Sequence, residues 1–143
     1  MGKKIGRLGE EVIEFWLKNQ EYQILHNRWH CRYAEIDLIA QDLSNSTLCF
    51  IEVKTRSLKN WDNNGIFAIN NKKQEKMILG AEIFLSQNDT FMNSNCRFDI
   101  ALLNYQKMPT SQGNESIMKI VASNAINYQG YKFQIVDYIK NAF

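Results

Sequence analysis

Acidic side chains interrupt two otherwise apolar stretches of the chain, and a lysine follows in the second. Asp37 lies within the run EIDLIA, and Glu52 and Lys54 lie within the run FIEVKTR. Both runs are rich in branched apolar residues, which is typical of strands buried in a sheet. Buried strands rarely carry carboxylates without a partner. The three side chains are therefore candidates for a site in which carboxylates hold a divalent cation and a lysine contacts a phosphate or an attacking water.

The turn between the two runs predicts how these side chains meet. The intervening sequence DLSNS has the composition of a hairpin turn. If residues 43–46 form a symmetrical four-residue loop, Asp37 lies directly opposite Glu52. Like charges in directly opposed positions are destabilising, so the two carboxylates need a proton or a cation between them. Hard oxygen ligands suit Mg²⁺, for which Mn²⁺ can substitute.

Side-chain alternation assigns the faces of these strands. Ile36, Leu38 and Ala40 share one face of the first strand, and Glu52 and Lys54 share one face of the second. An alternative interpretation is that the acids and the lysine form a salt-bridged, solvent-facing end of a strand pair. Their position inside apolar runs argues against that alternative.

The composition is that of one globular domain spanning residues 1–143. The N-terminal segment has no apolar signal-peptide core, and no run approaches the roughly 18 apolar residues of a membrane-spanning helix. The three cysteines have no close spacing, which argues against a disulfide framework and a thiolate zinc site. These features predict a protein of the reducing cytoplasm without a membrane partner.

Basic residues cluster in and after the second strand-like run. The net charge is only +2, so composition alone does not establish an attraction to nucleic acid. The cluster is either a phosphate-facing patch or a solvated face. Its members are Lys54, Arg56, Lys59, Lys72, Lys73 and Lys76.

Hydrophobic periodicity predicts the elements that position these residues. Helices are expected at 5–18 and 70–86, strands at about 22–30, 34–40, 47–54 and 96–103, and a further strand at 116–121. The second helix is expected to bury Met77, Ile78, Ala81, Phe84 and Leu85. Residues 104–116 have the composition of a flexible insertion, and residues 131–143 are ambiguous between strand and helix. The order α-β-β-β-α-β predicts an α/β fold with a mixed central sheet flanked by helices.

The two runs around the acids resemble the YraN-like endonuclease family of the PD-(D/E)XK nuclease superfamily. The opening helix motif GRLGE, the strand motif CRFDI and the ending NAF resemble the same family, so the similarity covers nearly the whole chain. It implies a restriction endonuclease-like core, in the branch that contains the Holliday-junction resolvases. It also implies that Glu10, Asp37 and Glu52 bind the metal and that Lys54 is catalytic.

The resemblance implies a Mg²⁺-dependent endonuclease that hydrolyses phosphodiester bonds in DNA, on branched or single-stranded structures, and a homodimer by analogy. The alternative is a non-catalytic nucleic-acid-binding module of a repair or recombination assembly. Arg56, Lys72 and Lys73 are the candidate nucleic-acid contacts. Glu35, which shares the face of Asp37, either assists the metal or stays in solvent, and Gln74 is a candidate supporting residue.

Other polar and aromatic residues have two interpretations each. Arg97 and Asp99 share a strand face and form either an internal ion pair, which we favour, or a support for the site. His26 and His30 would share a face on a helix, but their segment has a strand pattern, which disfavours a joint metal role. Two tryptophans that lie among polar residues in the sequence either stack on a base or pack at the edge of the core, and packing is the commoner case. They are Trp29 and Trp61.

Overall fold

A seven-stranded mixed sheet carries one helix on each face in the computed structural model, which describes residues 2–60, 69–109 and 116–143. The helices are α1 (Gly2–Lys18) and α2 (Asn71–Gln87). The strands are β1 (Tyr22–His30), β2 (Glu35–Asp42), β3 (Thr47–Ser57), β4 (Cys96–Lys107), β5 (Lys119–Ala122), β6 (Ala125–Tyr128) and β7 (Tyr131–Ile139). Their order across the sheet is β1-β2-β3-β4-β7-β6-β5, with β3 parallel to β4 and the other neighbours antiparallel. The predicted α-β-β-β-α-β order and mixed sheet are confirmed.

The β2–β3 hairpin has the predicted register. Leu38 pairs with Ile51, and the pairs continue to Asp42 with Thr47, which leaves a four-residue loop. The Asp42 carboxylate accepts hydrogen bonds from the backbone N–H and the hydroxyl of Ser44, at 3.1 and 2.6 Å. Bonds of this kind between a side chain and its local turn select the turn, and the turn sets the register of both strands.

The α1 helix packs an apolar stripe against the sheet, as predicted. Its buried hydrophobic residues are Ile5, Leu8, Val12, Ile13 and Leu17. At Gly9 the helix lies so close to β3 that an added Cβ atom would be 2.1 Å from the Thr55 hydroxyl oxygen. Glycine is therefore required at this crossing, despite its low helix propensity. The close approach brings the neighbouring Glu10 towards the sheet.

The α2 helix covers the opposite face and corrects one prediction. Its buried residues are Met77, Gly80, Ala81 and Phe84. Leu85 packs against the same core, but Ile78 is 41% exposed. The contact is centred on Gly80, where an added Cβ atom would lie 3.1 Å from both Ala34 and Ile36. Ile78 falls outside this stripe, because at about 100° per residue it points about 160° away from Gly80, the centre of the contact.

The strands β1 and β2 change faces together at one point, which the predicted alternation misses. Leu38 packs in the core under α1, whereas Ile36 and its pairing partner Trp29 pack under α2. Ile36 therefore does not share a face with Leu38, contrary to prediction. The change occurs at Arg28 and Asp37, which are level in this register, and Arg28 has a left-handed φ of 48°. A residue in that conformation interrupts the regular pleat.

The second half of the chain is richer in strands than the sequence pattern predicts. β4 continues to Lys107, so the start of the expected flexible insertion is strand, whereas residues 110–115 lie outside the described residues. The ambiguous tail contains β7, in which Tyr131, Phe133 and Ile135 are buried in alternation. The sequence pattern does not predict β6. Trp61 also lies outside the described residues.

Candidate metal-dependent active site

Asp37 lies where the β2–β3 ladder stops. The register that pairs Leu38 with Ile51 places Asp37 level with Glu52. Its carboxylate accepts a hydrogen bond from the backbone N–H of Val53, at 2.9 Å. The Asp37 side chain thus bridges from β2 to β3.

Burial, and then the negative charge of Glu52, raise the pKa of Asp37 to about 8, against the lowering effect of the Val53 N–H. The charge of Glu10 raises this pKa further. The register places the carboxyl groups of Asp37 and Glu52 level with each other on neighbouring strands. Two carboxyl groups this close are stable only with a proton or a cation between them. The structure therefore contains the repulsion between the Asp37 and Glu52 carboxylates that the register predicts.

Glu52 is a buried acid with two cations beside it. Its side chain is 6% exposed, and its two oxygens lie 3.4 Å from Lys54 Nζ and 3.5 Å from Lys73 Nζ. These separations exceed the roughly 2.7–2.9 Å of a charge-assisted hydrogen bond. The oxygen nearest Lys73 is buried and makes no hydrogen bond within the described residues. An acid with an unsatisfied buried oxygen can still accept a ligand.

Glu10 reaches the same region from α1 and is held by a cation that sequence reasoning did not single out. Arg28 Nε lies 3.2 Å from a Glu10 carboxylate oxygen. Burial raises the pKa of Glu10, and the hydrogen bond from Arg28 opposes this increase. A cavity of about 240 Å³ is lined by Glu10, Arg28 and Asp37, and by neighbouring residues of β1 and β2. No sequence motif identifies Arg28 as a site residue, because its position depends on a backbone conformation that arginine rarely adopts.

The donor chemistry of these acids fits a hard divalent cation, since all the available ligands are carboxylate oxygens. The buried Glu52 oxygen that makes no hydrogen bond, and the negative charge of Glu52 beside Asp37, are both features that a bound cation would stabilise. Across residues 2–60, 69–109 and 116–143, however, no three His, Cys, Asp or Glu side chains converge closely enough to hold an ion as they stand. Glu10 is engaged by Arg28 instead.

The remaining candidates are distributed around this centre. Lys73, at the N-terminus of α2, contacts Glu52, whereas Lys72 is exposed to solvent. Arg56 is half-buried on β3, two residues beyond Lys54. Gln74 donates a hydrogen bond to the Ile69 carbonyl at 3.2 Å and so supports the start of α2 rather than the acids. Glu35 is exposed and lines the cavity.

The aromatic and histidine candidates on β1 pack or line the cavity. Trp29 lies 5.8 Å from Phe84 between ring centroids, in an edge arrangement, which agrees with the core-packing interpretation. His26 contacts the same phenylalanine at 5.4 Å. His30 lines the cavity beside Asp37. The strand that contains both histidines is confirmed.

Arg97 and Asp99 form the buried internal ion pair that their spacing predicts. The Arg97 Nε lies 3.0 Å from both Asp99 oxygens, and another guanidinium nitrogen lies 2.9 Å from Asp42. Tyr22 and Tyr138 complete the cluster with hydrogen bonds of 2.7 Å. The cluster joins β1, β2, β4 and β7.

Sequence relatives place the chain in a family. The profile of the uncharacterised protein family UPF0102 matches residues 9–103. The chain belongs to this family. The UPF0102 stretch runs from α1 into β4 and thus contains Glu10, Asp37, Glu52 and Lys54. It corresponds to the YraN-like family that the motifs resemble.

The UPF0102 relatives match over almost their whole length. A UPF0102 protein of Acaryochloris marina is 36% identical over 155 residues, which cover 98% of this chain and 90% of that protein. One from Trichormus variabilis is 41% identical over 143 residues, covering 97% and 93%. One from Synechocystis is 36% identical over 145 residues, covering 97% of each. In the described part of this UPF0102 protein, no helix is long and apolar enough to cross a membrane.

Proposed function

We propose that this UPF0102 protein is a metal-dependent endonuclease that hydrolyses phosphodiester bonds in DNA. The observation that carries the proposal is the register that places Asp37 level with Glu52, with Lys54 Nζ 3.4 Å from Glu52. The resemblance to the PD-(D/E)XK nucleases gives these three residues the same roles. Branched and single-stranded DNA are the substrates to test first.

Each residue has a role that its surroundings support. Asp37 and Glu52 would hold a Mg²⁺ ion, and Glu10 would assist them from α1. Such an ion, when bound, polarises a phosphoryl oxygen and lowers the pKa of bound water. Lys54 contributes a positive charge beside Glu52, where it would stabilise the negative charge that develops on the phosphoryl group.

Hydrolysis requires a phosphate to approach the acids, and the basic residues near them can compensate its charge. Lys73 contacts Glu52, and the exposed Lys72 lies next to it on the first turn of α2. Arg56 extends the positive charge along β3. Together they form a candidate path for the nucleic-acid backbone, whose binding should weaken with salt because phosphate contacts release counterions.

A second candidate function is DNA binding without turnover, within a repair or recombination assembly. The observation in its favour is that cations of the protein already accompany the acids, Arg28 at Glu10 and Lys54 at Glu52. A reducing cytoplasmic setting, to which the three free cysteines are suited, belongs to both proposals. The homodimer stays a prediction that sedimentation can check.

The test is cleavage of linear duplex, single-stranded and four-way-junction DNA by the purified chain, with Mg²⁺, Mn²⁺ or EDTA. Asp37→Asn and Lys54→Met should each lower the cleavage rate by at least about 10²-fold, as the loss of a charge-stabilising group does elsewhere. Lys132→Met is the matched control, because Lys132 is exposed on β7 and level with Gln106 of β4, whereas Glu52 is level with Ile100. Unchanged cleavage in both site variants would exclude the assignment. Salt-dependent DNA binding without cleavage in any metal would favour the second candidate.

A further inference from the structure

Arg28 is held in place by an unusual backbone conformation. Its φ of 48° lies in the left-handed region, which arginine rarely adopts because of its side chain. Asn27, before it, donates a hydrogen bond to Glu14 of α1 at 3.1 Å, whereas Trp29, after it, packs in the core under α2. Arg28 is thus the residue at which β1 changes faces, and it lies level with Asp37 of β2.

The Arg28 side chain uses this position to contact Glu10. Its Nε is 3.2 Å from the carboxylate, and its side chain is 41% exposed while that of Glu10 is 21% exposed. Both residues line two adjoining cavities, one of about 240 Å³ towards Asp37 and one of about 350 Å³ along α1. The guanidinium therefore lies at the edge of the acidic site with open space on either side.

A guanidinium and a divalent metal ion compete for the same carboxylate oxygens. Arginine keeps its charge at every ordinary pH, so it cannot release Glu10 by losing a proton. Only movement of its side chain can free the carboxylate, and its exposure allows that movement at small cost.

We propose that Arg28 is the counter-ion that a divalent metal replaces at Glu10, so that the acidic site is completed by exchange of one cation for another. The inference rests on the proposed function. Arg28 is a positioning residue in this scheme, because it acts on the metal through Glu10.

The test is the affinity of the full chain for Mn²⁺, measured by titration calorimetry. Arg28→Asn removes the charge and keeps the left-handed backbone, which asparagine tolerates. Lys132→Asn is the control, since the exposed Lys132 of β7 lines neither cavity and its loss changes the net charge equally. Arg28→Asn should bind Mn²⁺ about two- to fivefold more tightly than the wild type, which is the range expected for releasing an exposed ion pair. Lys132→Asn should not change the affinity.

The combination with Glu10→Gln identifies the route of the effect. In that background Arg28→Asn should leave the Mn²⁺ affinity unchanged, because the carboxylate for which the cations compete is gone. Equal or weaker binding by Arg28→Asn in the otherwise wild-type chain would overturn the inference and leave the proposed metal site standing. Failure of all variants and of the wild type to bind Mn²⁺ would overturn both. Tighter binding that persists in the Glu10→Gln background would also overturn the inference.

Discussion

The sheet carries two clusters of buried charge, and they balance their carboxylates differently. In the cluster around Arg97, two buried aspartates, Asp42 and Asp99, share one buried guanidinium at 2.9–3.0 Å. In the candidate active site, Asp37 and Glu52 are level with each other, and two lysine nitrogens lie 3.4–3.5 Å from Glu52. The first cluster is closed by internal hydrogen bonds, whereas the second leaves a buried Glu52 oxygen without one.

The pKa shifts of the two aspartates express this difference. Burial alone would raise both. For Asp42 the hydrogen bonds from Ser44 and Arg97 outweigh burial and hold the pKa below its usual value. For Asp37 burial and the charge of Glu52 prevail and raise the pKa to about 8. A cluster whose charges are all paired stabilises the fold. In a cluster with unpaired carboxylates, the repulsion between them can be relieved by binding an external cation.

The largest effect is expected in the closed cluster. Arg97→Leu leaves Asp42 and Asp99 buried without a positive partner and should lower the free energy of unfolding by about 3–5 kcal/mol. Urea unfolding followed by circular dichroism measures it. If the variant does not fold, Tyr138→Phe removes only the 2.7 Å hydrogen bond to Asp99 and should cost about 1 kcal/mol. A loss below about 1 kcal/mol for Arg97→Leu would contradict the closed description.

The position of α1 on β3 gives an intermediate effect. Gly9→Ala adds a Cβ atom at 2.1 Å from the Thr55 hydroxyl oxygen and should lower the free energy of unfolding by about 1–3 kcal/mol. Combining it with Thr55→Ala should restore most of that loss, because the obstructing atoms are removed. Thermal unfolding of the two single variants and the double variant gives the coupling energy. Additive losses would show that the contact at this crossing is not the cause.

The smallest effect compares the same substitution in both clusters. The raised pKa of Asp37 means that the folded state binds more protons than the unfolded state between about pH 4 and 8, so its ionisation costs stability as the pH rises through that range. Asp37→Asn should therefore raise the melting temperature in EDTA by at least about 3 °C, the shift that roughly 1 kcal/mol produces in a chain of this size. The advantage should grow from pH 5 to 8 and then level off.

Asp42→Asn is the matched change with the opposite sign. The lowered pKa of Asp42 provides stability above the unfolded value near 4, and that stability is lost as the pH falls through the folded value. Asp42→Asn should thus lower the melting temperature at pH 7. If both variants lowered the melting temperature, the distinction between the two clusters would be removed. Loss of cleavage in Asp37→Asn could not then be separated from a loss of stability.

The local elements were predictable because they depend on neighbouring residues. Periodicity predicts α1 and α2, and the DLSNS turn predicts the register that places Asp37 level with Glu52. Alternation fails at Ile36, because the change of face depends on the backbone of Arg28 and on the packing of Trp29 under α2. The stripe on α2 shifts away from Ile78, because Gly80 sets the line of closest approach.

The sequence by itself determined the hairpin, the two acids at its buried end and the family, since each depends on short-range pattern or on motif similarity. The tertiary structure decided which cations accompany those acids. Lys73 of α2 approaches Glu52 of β3, and Arg28 of β1 approaches Glu10 of α1, so each cation comes from a different element than its acid. The hydrophobic periodicity of the sequence does not predict such contacts. A charge acts through space, and its partner is known only once the helices have packed on the sheet.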